Sequence, residues 1–326
     1  VEQAEDEIAA INMAVGASYA GAPAMVATSG GGFALMVEGV SLAAMIETPI
    51  VVVVSQRPGP ATGLPTRTEQ ADLDFVLHSG HGEFPRALFA PGSVESCFHL
   101  TRRAFELAEK YQGPIFLLTD QFLADSDRAV SPFDVEGLAP VAAGCAASNA
   151  ASPYRRFALT ESGVSPRLLP GMGRELVVAD SDEHTEDGRL TEDLRVRKLM
   201  VEKRLKKMEG LMACALAPSY RGDEHPDTLF VSWGSTEGAV LEAVRKLAEK
   251  GKKVASLHFE QLWPLVPSKF LGLLEEAYEV VAVEGNATGQ FAGLIRRETG
   301  FEIKRRILRY DGLPITPEYI LRETER

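Results

Sequence analysis

Apolar and polar positions fall into blocks whose lengths suit alternating strands and helices. Ile50–Ser55 opens with an unbroken run of isoleucine and valine. A strand apolar on both faces belongs inside a parallel sheet. The same reading predicts strands over Ala24–Thr28, Arg86–Phe89 and Ile115–Thr119. Helices fall between them: one from the acidic cluster Glu2, Glu5, Asp6 and Glu7 through the small residues to Ser18, and one from Gly30 to about Glu47. A third runs to Tyr111, capped by Ser93 or by Ser96. Carboxylates in a first turn suit the helix dipole. A second alternation begins at Thr228, with strands Leu229–Trp233, Lys253–His258, Glu279–Val283 and Arg306–Tyr310 and helices Thr236–Lys250, Pro267–Ala277 and Thr288–Thr299. Two doubly wound α/β units are expected, over residues 1–130 and 227–326.

The connection over 131–226 lacks this rhythm, apart from one charged helix over Thr191–Met212. Its Leu194, Val201, Leu205, Met208 and Met212 lie near helical spacing. The mixed charges predict a solvated face, and a face for a partner subunit is the alternative. So long a connection in a compact protein usually covers something or functions itself.

The stretch after Ile50–Ser55 turns abruptly to Gly, Pro and Thr and carries Arg57 and Arg67. Loops at the carboxyl ends of parallel strands are where open α/β sheets hold ligands. Prolines 58, 60 and 65 restrict the backbone around the arginines. Two readings stand: a loop that holds two fixed cations beside a site, and a crossover loop with solvated arginines. Ser29-Gly30-Gly31-Gly32 likewise can present backbone N–H groups at a helix start, or make a plain tight turn.

Composition narrows the class. Of 326 residues, 45% are hydrophobic and 25% charged, as in globular proteins. A net charge of -12 argues against a nucleic-acid surface. No run reaches the roughly 18 apolar residues of a membrane span. Cys97, Cys145 and Cys214 are scattered, too few for a self-contained iron–sulfur centre of about four thiolates. They form no disulfide framework, so a reducing cytoplasm is the expected compartment. The six histidines do not cluster as metal ligands, and no metal site is expected in this chain. The chain opens at Val1 within a few residues of a helix, so a preceding segment is expected.

Glu7-Ile8-Ala9-Ala10, Thr28-Ser29-Gly30-Gly31-Gly32-Phe33, Gly59-Pro60-Ala61-Thr62-Gly63-Leu64-Pro65-Thr66, His81-Gly82-Glu83-Phe84-Pro85-Arg86 and Glu284-Gly285-Asn286-Ala287-Thr288-Gly289-Gln290 together span nearly the whole chain. They resemble the alpha subunit of 2-oxoacid:ferredoxin oxidoreductases, most of all the 2-oxoglutarate type with fused gamma and alpha parts. Gly31 stands where family members often have Pro. The family's Tyr-Pro-Ile-Thr-Pro segment and gamma domain would precede Glu7 and are expected ahead of Val1.

The resemblance implies a thiamine diphosphate fold: a pyrimidine-binding domain, then a transketolase C-terminal-like domain. It implies oxidative decarboxylation of a 2-oxoacid with coenzyme A to acyl-CoA, CO2 and reduced ferredoxin, run in either direction. Glu7, nine residues before Gly16, takes the place of the carboxylate at the aminopyrimidine. Ser29, Gly30 and Phe33 would join it in holding the cofactor. Arg57 and Thr62 would hold the substrate carboxylate, and Arg67 the second carboxylate of 2-oxoglutarate. The diphosphate, its Mg2+ and a [4Fe-4S] cluster are expected on a beta subunit, in an (alpha-beta)2 heterotetramer. Pyruvate or branched-chain substrates, and a transketolase-type enzyme without a redox step, are the alternatives.

Overall fold

The computed structural model describes residues 1–141 and 153–326. Cys145 and part of the expected linker lie outside the described residues. Helix α1 is Glu7–Tyr19, β1 Met25–Ser29, α2 Gly30–Met45, β2 Ile50–Gln56, α3 Leu73–Leu77, β3 Ala87–Phe89, α4 Val94–Tyr111, β4 Pro114–Asp120 and α5 Gln121–Ala124. Strands β1, β2, β4 and β3 lie side by side in that order and run parallel. The apolar runs of β2 and β4 take the two positions with a parallel neighbour on each side, where burial on both faces rewards them. Helix α4 starts with a reciprocal cap: the Ser93 side chain accepts from the N–H of Ser96, and Ser96 Oγ accepts from the N–H of Ser93. Both serines named by the sequence therefore take part.

The chain continues through α6 Leu194–Ala213, β5 Ser219–Gly222, β6 Thr228–Trp233, α7 Glu237–Glu249, β7 Val254–Phe259, β8 Gln261–Trp263, α8 Leu271–Glu276, β9 Glu279–Glu284, α9 Gln290–Thr299, β10 Arg305–Leu308 and α10 Pro317–Thr324. The second sheet has the order β10-β9-β6-β7-β5, with only β5 antiparallel. Strand β5 comes from residues ahead of 227. Strand β8 crosses to the first sheet and pairs antiparallel with β3, so the later unit covers an edge of the earlier one. One hydrophobic core runs through both units, with Val54, Leu73 and Phe116 in the same cluster as Trp233, Phe259 and Phe291.

The charged helix α6 has the expected solvated face, with Arg195, Lys198, Glu202, Lys206 and Glu209 exposed, but its inward face is charged as well. Lys203 and Lys207 are buried and both pair with the carboxylate of Glu47, at 2.7 Å for Lys203 Nζ. Arg204 makes two bonds to Glu183, of 3.0 and 2.8 Å. Arg156 donates to the Glu47 carbonyl at 2.6 Å. Burial alone would push the Glu47 carboxyl up, but Lys207, Lys203 and Arg156 outweigh it and hold it at about 2. Meanwhile Leu194 is 83% exposed and Met212 is exposed too. The helix is thus pinned to the first unit by its cations, because a buried anion from the end of α2 meets them there.

Candidate functional site

The loop leaving β2 folds back over the start of α2. At 2.9 Å, Arg57 Nη2 donates to Ser29 Oγ, and at 3.3 Å Nη1 donates to the carbonyl of Pro65. Two short hydrogen-bonded spans therefore hold the guanidinium between the end of β1 and its own loop. The Gly59–Pro60 peptide is cis, and the N–H of Gly63 closes the turn on the Pro58 carbonyl at 2.9 Å. A cleft of about 520 Å3 opens between loop and helix, lined by Ser29, Gly30, Gly31, Ala34, Arg57, Gly59–Thr62, Asp72 and Phe75. Four residues singled out in the sequence (Ser29, Gly30, Arg57 and Thr62) thus share one cleft.

The remaining ones lie around it. Glu7, the first residue of α1, accepts a 3.2 Å hydrogen bond from Thr28 Oγ1. Its carboxylate reaches α2 where Gly32 leaves room: a Cβ there would stand 2.3 Å from Glu7 Oε1 and 2.1 Å from Thr28 Oγ1. Gly30 faces Asp72 in the same way, with a Cβ placed 2.4 Å from its Oδ2. Residues two apart on a helix point to nearly opposite sides. Glu7 and Asp72 therefore flank the first turn of α2, with only Asp72 in the cleft. Phe33 is fully buried and packs edge-on against Phe75 and Phe116, so it backs the cleft wall instead of facing into it. Arg67 is outside the cleft lining, its methylenes lying against Gly312 of the later unit.

The far half of the loop is fastened to the second unit. Gln70 exchanges backbone and side-chain hydrogen bonds with Gly285, at 2.6 and 2.8 Å, and donates to the Trp233 carbonyl at 2.9 Å. At 3.2 Å, Thr68 donates its N–H to the Gly312 carbonyl. Gln290 donates to the Ala71 carbonyl at 2.8 Å and accepts from the N–H of Asp74 at 3.1 Å. The motif Glu284-Gly285-Asn286 is thus a docking device. The buried Glu284 carboxylate accepts from Trp233 Nε1, Asn286 Nδ2 and the N–H groups of Phe291 and Ala292. Asn286 Oδ1 caps the loop into α9 through the N–H groups of Thr288, Gly289 and Gln290.

Sequence reading missed Asp72. Burial, with no cation paired to it among the described residues, pushes its carboxyl up to about 6, and Oδ2 has no hydrogen-bond partner. The only available signal was its place at the end of the arginine loop, since Gly30 and Gln290, which create its setting, are remote in sequence.

Residues 1–203 match the family described as pyruvate flavodoxin/ferredoxin oxidoreductase, thiamine diP-binding. The 2-oxoacid:ferredoxin oxidoreductase 1 subunit alpha of Sulfurisphaera tokodaii is 38% identical over 321 residues, covering 96% of this chain and 50% of that one. The 2-oxoglutarate synthase subunit KorA of Archaeoglobus fulgidus is 32% identical over 323 residues, covering 99% of this chain and 84% of the relative. The chain spans about half the length of the 2-oxoacid:ferredoxin oxidoreductase alpha subunits it matches in Sulfurisphaera tokodaii and Saccharolobus solfataricus. A solved 2-oxoglutarate:ferredoxin oxidoreductase from Magnetococcus marinus, with 2-oxoglutarate, coenzyme A and succinyl-CoA bound, superposes with a TM-score of 0.93 at 37% identity, over 99% of this chain and 56% of that one. A split-gene transketolase, 11% identical with a TM-score of 0.52, shares the fold. The chain belongs to the thiamine diphosphate-binding family of pyruvate flavodoxin/ferredoxin oxidoreductases, among the alpha subunits of the 2-oxoacid:ferredoxin type.

Proposed function

We propose that this chain is the alpha part of a 2-oxoacid:ferredoxin oxidoreductase that converts 2-oxoglutarate and coenzyme A to an acyl-CoA, CO2 and reduced ferredoxin, reversibly. Residues 1–130 serve as the pyrimidine-binding unit, and 227–326, with β5 added at its sheet edge, as the transketolase C-terminal-like unit. The observation that carries this reading is Arg57, held by Ser29 and Pro65 at the wall of an open cleft beyond β2. A fixed guanidinium presents a planar fork that matches a carboxylate, and Lys is not its equal there. Thr62, in the same lining, would supply a hydroxyl for the same group.

The residues present fit the aminopyrimidine side of thiamine diphosphate. Gly32 lets the Glu7 carboxyl lie against the first turn of α2, and Thr28 orients it. When bound, thiamine diphosphate supplies the electron sink that a 2-oxoacid needs to lose CO2. Glu7 would hold the proton at the pyrimidine N1′, and Ser29 with Gly30 would seat the ring edge. The diphosphate, Mg2+ and a [4Fe-4S] centre are assigned to a beta subunit. This chain has no Gly-Asp-Gly with a downstream Asn, and its three cysteines fall short of about four thiolates.

Such a partner suits the surface beside the cleft. Helices that are apolar on every side are normally enclosed. Yet α1 leaves Ile8 51% and Met13 52% exposed, and α2 leaves Leu35 51% exposed. A beta subunit laid over these helices would close the cleft and complete the cofactor site, with an (alpha-beta)2 assembly as the expected form. Among the described residues no helix is long and apolar enough to cross a membrane.

The test is Glu7→Gln in the complex assembled with its beta chain. Thiamine diphosphate should still bind, while 2-oxoglutarate-dependent viologen reduction falls by roughly 10²–10⁴-fold, the usual contribution of a general acid/base. Near-normal turnover with the cofactor bound would reduce Glu7 to a helix-end carboxylate.

A further inference from the structure

The cleft holds one cation from this chain and one carboxyl without an assigned role. Asp72 is held firmly. At 2.9 Å its N–H donates to Gln56 Oε1 at the end of β2, and its neighbours Ala71 and Asp74 are both bonded to Gln290. The side chain therefore keeps its place against Gly30, where any other residue would put a Cβ on its Oδ2. That oxygen is occluded from solvent and without a partner. Few sequences keep an unpaired buried carboxyl for stability, because ionising it there costs more than an uncharged amide would.

The charged groups around Asp72 are few. From its own loop comes Glu69, whose carboxyl is itself pushed up, first by burial and further by the Asp72 charge. Arg57 shares the cleft lining. The turn of α2 that Asp72 meets offers Gly30, Gly31 and Ala34, and α9 offers Gln290, none of them charged. An anion entering the cleft therefore meets both Arg57 and this carboxyl in its lining.

We propose that Asp72 sets the charge preference of the cleft: as a neutral carboxyl it donates a hydrogen bond to an anionic group of the substrate, and as a carboxylate it repels that group. The inference rests on the 2-oxoacid reading above and makes a proton part of what a dicarboxylate needs in order to bind. An anion beside Asp72 favours its protonated form, so binding takes up a proton once solution pH exceeds the resting value of about 6. Affinity for a dicarboxylate should then fall as pH rises, because the proton must be drawn from an ever more dilute supply.

The experiment uses the assembled complex and the inhibition constant of glutarate, an unreactive dicarboxylate, against 2-oxoglutarate turnover between pH 6 and pH 8. In the wild type it should rise roughly tenfold or more across that range. Asp72→Asn, which cannot ionise, should keep the tight low-pH value throughout, with unchanged thermal stability. Proton uptake on glutarate binding, read by calorimetry in two buffers of different ionisation enthalpy, should be present in the wild type and lost in the variant. Parallel pH profiles in both proteins, or a flat profile in the wild type, would overturn the role of Asp72 while leaving the enzyme reading intact. A complex that turns over no 2-oxoacid and binds no glutarate would overturn both.

Discussion

Two carboxylates stand at the carboxyl ends of the two sheets and are treated in opposite ways. Glu284 ends β9 and has four donors aimed at it, from Trp233, Asn286, Phe291 and Ala292. Asp72, tied back to the end of β2, has an occluded oxygen that meets no donor among the described residues. Buried polar groups that serve the fold are satisfied, and those left open point to a ligand or a strained task. The two regions also meet: the loop that carries Arg57 is fixed at its far end by the very motif that Glu284 organises. One loop holds, so that the other can present its groups to a substrate from a rigid base.

This contrast can be broken by mutation. Glu284→Ala strips a partner from four buried donors, each worth about 1–3 kcal/mol if left unsatisfied. Stability should fall by roughly 3 kcal/mol or more, measured by thermal and denaturant melts. A loss of activity without any loss of stability would place Glu284 in the chemistry instead. The smallest effect is expected at Arg67, which packs on Gly312 outside the cleft. Arg67→Leu should change kcat/KM for 2-oxoglutarate and 2-oxobutyrate in parallel and by about twofold, the ordinary scale of a surface substitution. A loss confined to 2-oxoglutarate would show that Arg67 reaches the second carboxylate.

Much of the frame was legible because it rests on local pattern. The apolar runs of β2, β4, β6 and β9 needed nothing beyond their own residues to be read as buried parallel strands. Strand β8 was not legible, since three residues carry no periodicity and its pairing with Leu88 and Phe89 is a long-range event. Helix α6 misled for the same reason. Lys203 and Lys207 look as solvated as Lys198 and Lys206 until the fold delivers Glu47, 156 residues away from Lys203, with its backbone in a left-handed turn after α2. In the cleft, Arg57 and Ser29 could each be singled out as residue types, but not the bond between them. Asp72 was invisible because its isolation is a property of its surroundings.

The central claim is that the Arg57 cleft receives the substrate carboxylate. Its most direct measurement is kcat/KM for 2-oxoglutarate in the assembled complex, wild type against Arg57→Leu, with melting temperature as the control for folding. A charge-assisted hydrogen bond of about 1.5–3 kcal/mol corresponds to a loss of one to two decades, and the cleft assignment predicts that loss with an unchanged melting temperature. An Arg57→Leu complex that keeps wild-type kcat/KM would contradict it, and would place the substrate carboxylate elsewhere in the assembly.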